Sequence, residues 1–323
     1  MINKNIFASD HAAPDIVSKV VVGKTLADLG AIYENLIVCD ADLMLPAGTV
    51  AFKNAYPQRH FNFGIAEQNM VCAAAGLALE GKTVFASTFA NFASKRACDQ
   101  MSICVAYNKA NVKLCGIYAG LTCEKNGGTH ISVEDVAIMR SIPGITVIEP
   151  GDLEELRQAV IAAAEFDGPV YLRIPKMYKA QIFSENYQFR IGKAVELTGG
   201  GDIAICACGL TSGIAFHAAL QLKEQGVNAK VIHFGTLKPI DEDAVLEAAK
   251  TGAVLTVENH SVIGGLGSAV MEVLSRHRLN PAVRRLGLQD VFGMTADLDW
   301  QLEYNGLSQN QVAQSACELI AKK

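Results

Sequence analysis

The sequence predicts an α/β protein built as two doubly wound domains with mainly parallel sheets. Three observations carry that expectation. Short apolar runs alternate with helix-length amphipathic segments along the whole chain, the order that builds strand–helix–strand units. The runs are apolar at nearly every position, as in Leu36-Ile37-Val38-Cys39 and Ile203 to Cys208, which suits strands covered on both faces. The chain has 323 residues, 50% of them hydrophobic, enough for two such units, placed at 1–180 and 181–323.

In the first half, Ile16 to Leu29 reads as a helix entered after Pro14, and Leu36 to Cys39 as a strand. Asp40-Ala41-Asp42 stands at that strand's carboxyl end, where open α/β sheets collect ligands. Turn formation and helix capping explain the same acids without a ligand. Glu67 to Leu79 is the next helix and Thr83 to Ser87 the next strand. Phe89 and Phe92 fall three apart on one side of a helix reaching about Asn108, a spacing that core packing also explains. The strand Val112 to Ile117 delivers a long loop, Tyr118 to His130, containing Gly120, Gly127 and Gly128. A loop of that length after a strand is a candidate active-site loop. Val133 to Ile142 is a helix ended by Pro143-Gly144. Thr146 to Ile148, an Asp152 cap, the helix Leu153 to Ala164 and the strand Val170 to Arg173 complete the unit.

In the second half, Met177 to Gly201 has a linker's composition with one edge element. Strands at Ile203 to Cys208, Ala229 to His233 and Ala253 to Glu258 alternate with helices at Thr211 to Gln225 and Asp241 to Lys250. Ile263-Gly264-Gly265-Leu266-Gly267-Ser268 opens the helix Ala269 to Arg276. Such a loop can hold a phosphate at a helix start, but no Gly-Lys-Ser/Thr follows, and close helix–strand packing is the plainer reason. His233, Glu258 and His260 read as structural or interfacial.

Composition excludes several classes. The formal net charge is −5 with no Lys/Arg cluster, which argues against nucleic-acid binding. No apolar stretch reaches the ~18 residues of a membrane span, and Met1 to Ala13 lacks a signal-peptide core. The nine cysteines are odd in number and form no CxxC pair, so reduced thiols and a cytoplasmic location are expected. Cys206 and Cys208 on one strand face make a poor metal site by themselves, and no metal ligand is expected from this chain.

The most informative stretch is Phe61-Asn62-Phe63-Gly64-Ile65-Ala66-Glu67-Gln68-Asn69-Met70. A carboxylate in a helix's first turn gains from the helix dipole, which alone would account for Glu67. The small residues Cys72 to Gly76 beside it let another element pack close, and apolar surroundings raise a carboxyl group's proton affinity. Gly64 to Met70 resembles the thiamine-diphosphate site of the transketolase family, and the resemblance runs from about Ser18 to the C-terminus. It implies a transketolase pyrimidine-binding domain followed by a transketolase C-terminal domain, the latter away from the cofactor. It implies that Glu67 hydrogen-bonds N1′ of the aminopyrimidine, that Phe89 and Phe92 pack on that ring, and that Asp42 lies near the thiazolium. A third family aromatic falls at Lys95, giving the pocket a different edge. His130, in a Gly-x-Thr-His context, would serve donor and acceptor hydroxyls. Tyr118 and Asn126 stand where a common split-transketolase pattern has His and Asp. Lys19 and Lys176 match the family's phosphate-binding arginines without their bidentate fork.

The family's Gly-Asp-Gly…Asn signature for the metal and diphosphate does not occur. The resemblance therefore implies a split enzyme. A second polypeptide, the N-terminal transketolase subunit, would carry the diphosphate domain with Mg2+ or Ca2+, and the two chains would form an α2β2 assembly. The implied reaction moves a two-carbon ketol unit from an anionic ketose, phosphorylated or sulfonated, to an aldose. Competing expectations are the β subunit of a 2-oxo-acid dehydrogenase, a 1-deoxyxylulose-5-phosphate synthase-like enzyme, and a non-catalytic scaffold subunit.

Overall fold

The computed structural model describes residues 4–323. The strands of the first half are β1 (Leu36–Asp40), β2 (His60–Asn62), β3 (Thr83–Phe89), β4 (Val112–Ile117), β5 (Thr146–Ile148) and β6 (Val170–Ile174). Those of the second are β7 (Val195–Thr198), β8 (Ile203–Ala207), β9 (Ala229–His233), β10 (Thr236–Lys238), β11 (Ala253–Ser261) and β12 (Ala282–Leu288). They form a seven-stranded sheet, β10-β5-β6-β4-β3-β1-β2, and a five-stranded sheet, β12-β11-β8-β9-β7. Pairing is parallel except at the two edges β10–β5 and β7–β9. β1, β3, β4, β6 and β8 are buried at every position, which is why they read as continuous apolar runs. The expected fold class is therefore the observed one. The 180/181 division separates the sheets except for β10, which crosses over to close the first sheet.

Several elements depart from expectation for identifiable reasons. The first helix is Ser18–Ile32, because Val17 is extended and the Ser18 N–H bonds to Lys176 O at 3.1 Å, at the end of β6. The segment expected as one helix to Asn108 is broken. Phe89 ends β3, Ala90–Lys95 is a short helix, Ala97 leaves helical geometry, and Met101–Ala106 is π-helical with Tyr107 N bonded to Ser102 O. The next helix shrinks to Asp135–Ser141, since the Val133 N–H is taken by the Glu134 carboxylate. Unanticipated were β2, β10, β12 and the helices Met44–Ala47, Val50–Ala55, Leu298–Tyr304 and Gln309–Ile320. The last begins with a capping box, Ser308 with Gln311.

The glycine loop is structural, as read. Its helix, Leu266–Arg276, starts with an anion already in place: Glu258 accepts from the Leu266 and Gly267 N–H groups at 2.7 and 2.9 Å. A Cβ on Gly265 would lie 1.8 Å from the Glu258 carboxylate. His233, Glu258 and His260 are all buried. Nε2 of His233 lies 2.6 Å from Glu155, and its Nδ1 lies 2.6 Å from Ser212 Oγ, so this histidine joins the two domains. Among the described residues no helix is long and apolar enough to cross a membrane.

Two stability outcomes follow. Gly265→Ala should lower the urea midpoint by the equivalent of ~1–3 kcal/mol. Gly76→Ala, in an exposed helix interior with open space around it, should raise it by roughly 0.5–1 kcal/mol. Equal effects would show that the Glu258 cradle is not what requires glycine at 265. The second outcome concerns pH. Burial pushes the Asp152 carboxyl up from 3.8 to about 7, against the N–H donors of Glu155, Phe183 and Ile182, which favour its ionised form. An acid whose folded value lies above its unfolded one contributes stability that is full below the unfolded value and lost as pH rises through the folded one. Between about pH 4 and 7 this group should give a falling slope of up to about 1.4 kcal/mol per pH unit. Asp152→Asn should flatten that part of the stability profile, and an unchanged profile would refute the assignment.

Candidate active site

Four parallel strands lie side by side in the order β6-β4-β3-β1. The residues at or just beyond their carboxyl ends are therefore set out along one edge: Lys176, Tyr118, Phe89 and Asp42. Onto this edge the chain brings Glu67 and His130. Glu67 is the first residue of the Glu67–Leu79 helix and is only 4% exposed. Its surroundings are not purely apolar, as expected from sequence. Arg96 Nη1 donates to Glu67 Oε1 at 2.9 Å, and the Arg96 guanidinium lies 3.8 Å from the centre of the Phe92 ring. Phe92 and Arg96 are four apart, neighbours across one helical turn. That spacing could have drawn attention to Arg96 in the sequence.

From Phe92 the contacts continue without a break. Its ring centroid is 5.1 Å from His130 and 5.8 Å from Phe89, both edge-to-face. Phe89 lies 5.8 Å from His130 and 5.3 Å from Tyr118. Lys176 Nζ stands 6.0 Å from the Tyr118 ring and donates to Glu124 Oε2 at 2.5 Å. His130 Nδ1 lies 2.8 Å from Thr129 Oγ1, and Asn91 donates to Thr129 O at 2.6 Å. The Nε2 of His130 carries no hydrogen bond among the described residues. Burial raises the Tyr118 phenol above its usual range, more than Lys176 lowers it, so Tyr118 is a neutral hydroxyl at physiological pH.

The second domain takes part, contrary to the expectation that it stands apart. Asn259 accepts from the Leu121 N–H at 2.9 Å, and a Cβ on Gly120 would strike its amide. Gly127 and Gly128 abut Thr295 and the Gly293 carbonyl. The loop that delivers His130 is thus seated on residues from the far end of the chain. Sequence reasoning missed Asn259, Arg96 and Glu124.

The remaining expected residues are placed as follows. Lys19, near the start of the Ser18–Ile32 helix, lines a narrow cleft with Ser18, Tyr118 and Lys176. Asp42 is exposed, with a φ of 60° and its N–H on Asn62 Oδ1. It makes no contact with the aromatic cluster. Lys95 forms an ion pair with Glu134. Asn126 is exposed on the loop beside the Cys123 thiol.

Two family models together span most of the chain. Residues 16–179 match the model of the transketolase pyrimidine binding domain and residues 192–312 that of the transketolase C-terminal domain. The chain is 46% identical over 291 residues to the 6-deoxy-6-sulfo-D-fructose transketolase subunit SqwH of Clostridium sp. (strain MSTE9), covering 90% of each chain. It is 43% identical over 304 residues to a Methanocaldococcus jannaschii chain named as a transketolase C-terminal section, covering 93% of this chain and 95% of that one. A solved split-gene transketolase described as an inactive β4 tetramer superimposes with a TM-score of 0.88 at 40% identity, over 95% of this chain and 99% of that one.

The Glu67–Arg96 pair gives a prediction. Arg96→Met leaves a buried carboxylate without its donor and should cost roughly 1–3 kcal/mol. Combining it with Glu67→Gln should cost clearly less than the sum of the two single changes. Strict additivity in chemical denaturation would mean that the pair is not coupled.

Proposed function

The chain belongs to the transketolase family, and from that premise we propose that it is the pyrimidine-binding and C-terminal subunit of a split, thiamine-diphosphate-dependent transketolase. It transfers a two-carbon ketol unit from a ketose with an anionic tail, phosphate or sulfonate, to an aldose acceptor. The observation that carries this reading is the unbroken series Glu67, Arg96, Phe92, His130, Phe89, Tyr118 on one sheet edge.

These residues fit an aminopyrimidine. Glu67 presents a carboxyl group, 4% exposed, whose Oε2 has no hydrogen-bond partner among the described residues, and the Arg96 that holds it lies over the ring of Phe92, itself in edge contact with Phe89. Bound thiamine diphosphate supplies a nucleophilic carbon and an electron sink for cleaving the bond beside the ketose carbonyl. Glu67 shares a proton with the ring nitrogen N1′, and Arg96 holds the carboxylate in position from its other oxygen. Phe89 and Phe92 stack on the ring and exclude water. His130, oriented through Thr129, moves protons on donor and acceptor hydroxyls with its open Nε2. Tyr118 and Asn126 donate to sugar hydroxyls, Lys19 and Lys176 attract the tail, Asp42 flanks the thiazolium side and Lys95 closes the pyrimidine edge.

The diphosphate and its Mg2+ or Ca2+ come with an N-terminal transketolase subunit, and two copies of each chain assemble. The helix that begins with Glu67 supports a joint there. Ile65 is 76% exposed, Leu79 62% and Tyr107, on the adjoining helix, 83%. The solved split-gene relative described as an inactive β4 tetramer supports the same reading. Nine free thiols support a cytoplasmic setting.

Reconstitution with the partner chain tests this. Alone, with metal and cofactor, the chain should turn over no ketose; full activity alone would refute the split-enzyme reading. In the complex, Glu67→Gln should slow deuterium exchange at C2 of bound thiamine diphosphate by roughly two to four powers of ten. Wild-type exchange combined with a lowered melting temperature would make Glu67 a structural carboxylate.

A further inference from the structure

Glu124 is the residue on this edge that nothing above explains. It sits at φ 47° and ψ −109°, in the left-handed half of backbone space that strongly favours glycine. Such strain is retained only where the side chain is wanted. Its carboxylate goes to Lys176 Nζ at 2.5 Å, with the Leu298 N–H 3.4 Å from the other oxygen. Lys176 is the cation that faces the cleft shared by Ser18, Lys19 and Tyr118. In that cleft Ser18 is 2% exposed and its Oγ has no hydrogen-bond partner among the described residues. Ser18, two lysines and a neutral phenol line this cleft with the groups that bind an oxyanion, and Glu124 sets a fixed negative charge against one of those lysines.

We propose that Glu124 selects the charge of the donor's tail, so that this site takes a monoanionic sulfonate in preference to a phosphate dianion. The inference rests on the reading of the chain as a transketolase subunit and deepens it. Lys19 and Lys176 bring two positive charges to the cleft and Glu124 one negative, leaving one. Lys125 and Asp297, 3.5 Å apart nearby, offset each other. A phosphate monoester carries about −1.5 to −2 at neutral pH, whereas a sulfonate carries a single charge at any physiological pH. Both offer three terminal oxygens of similar geometry, so Ser18, Tyr118 and the lysines cannot separate them by shape. Charge can. A sulfonate balances the cleft, while a phosphate leaves excess negative charge beside a half-buried carboxylate, where repulsion is poorly screened. Lysines suit this device, because neither brings the bidentate fork that rewards a phosphate.

The experiment uses the reconstituted complex and three ketohexoses of one skeleton: the 6-sulfonate, the 6-phosphate and the neutral sugar. Binding is measured by calorimetry beside kcat/KM. Wild type should favour the sulfonate over the phosphate. Glu124→Gln should move that ratio about tenfold or more toward the phosphate, with the neutral sugar as the reference that registers any general loss. Glu124→Gly should do the same and raise the melting temperature by relieving the backbone. A ratio unchanged in both folded variants, or a wild type that binds phosphate as well as sulfonate, overturns the proposal. If no donor is turned over but the binding ratio shifts as stated, the charge selector stands and the ketol-transfer reading fails.

Discussion

Beneath the site lies a buried cluster centred on Arg173, on which the arrangement above depends. Its guanidinium donates to Asp135 from Nε at 2.8 Å and from Nη2 at 3.1 Å, and to Glu149 from Nη1 at 2.5 Å. It also reaches the carbonyls of Ser132 and of Asn259, the latter in the second domain, at 3.3 and 3.0 Å. Burial alone would raise the Asp135 carboxyl; the charge and hydrogen bonds of Arg173 outweigh it and hold the group below the usual carboxylate range. Tyr171 adds a 2.7 Å bond to Asp135. A buried guanidinium satisfied at all its nitrogens is stable, but removing it leaves two buried carboxylates uncompensated, which typically costs ~3–5 kcal/mol. That steep penalty gives the cluster essentially one geometry.

The geometry matters because of which backbone segments the cluster joins. Ser132 ends the segment that carries His130, Asn259 holds Leu121 at the other end of the same loop, and Arg173 leads through Ile174 to Lys176. The His130 loop, the cleft beside Lys176 and the second domain are therefore positioned by a single ionic node. Glu155, His233 and Ser212 form a second link between the domains, and β10 adds a third by completing the first sheet. A C-terminal domain that looks remote from the chemistry thus acts as the platform on which the His130 loop rests.

The exposed side is the complement of this rigid interior. The helix that starts at Glu67 keeps its carboxylate inside and turns Cys72 and Leu79 outward, just beyond the exposed Ile65. Beside the buried carboxylate the described surface keeps apolar side chains exposed.

Much of this was legible in the chain before any coordinates. Strands buried on both faces announce themselves as apolar runs, so the two α/β units and most strands were readable from local pattern. Glu67 was legible because a helix start and its small-residue flank are contiguous in sequence, and Phe89 and Phe92 because helical spacing is a local rule. The rest depended on groups that meet only after folding. Arg96 reaches Glu67 across 29 positions, Lys176 reaches Glu124 across 52, and Asn259 reaches Leu121 across 138. No periodicity encodes such meetings. They follow from strand order in the sheet and from the docking of two domains around a buried charge, and these decide which carboxylate is paired, which lysine is neutralised and which loop is held still.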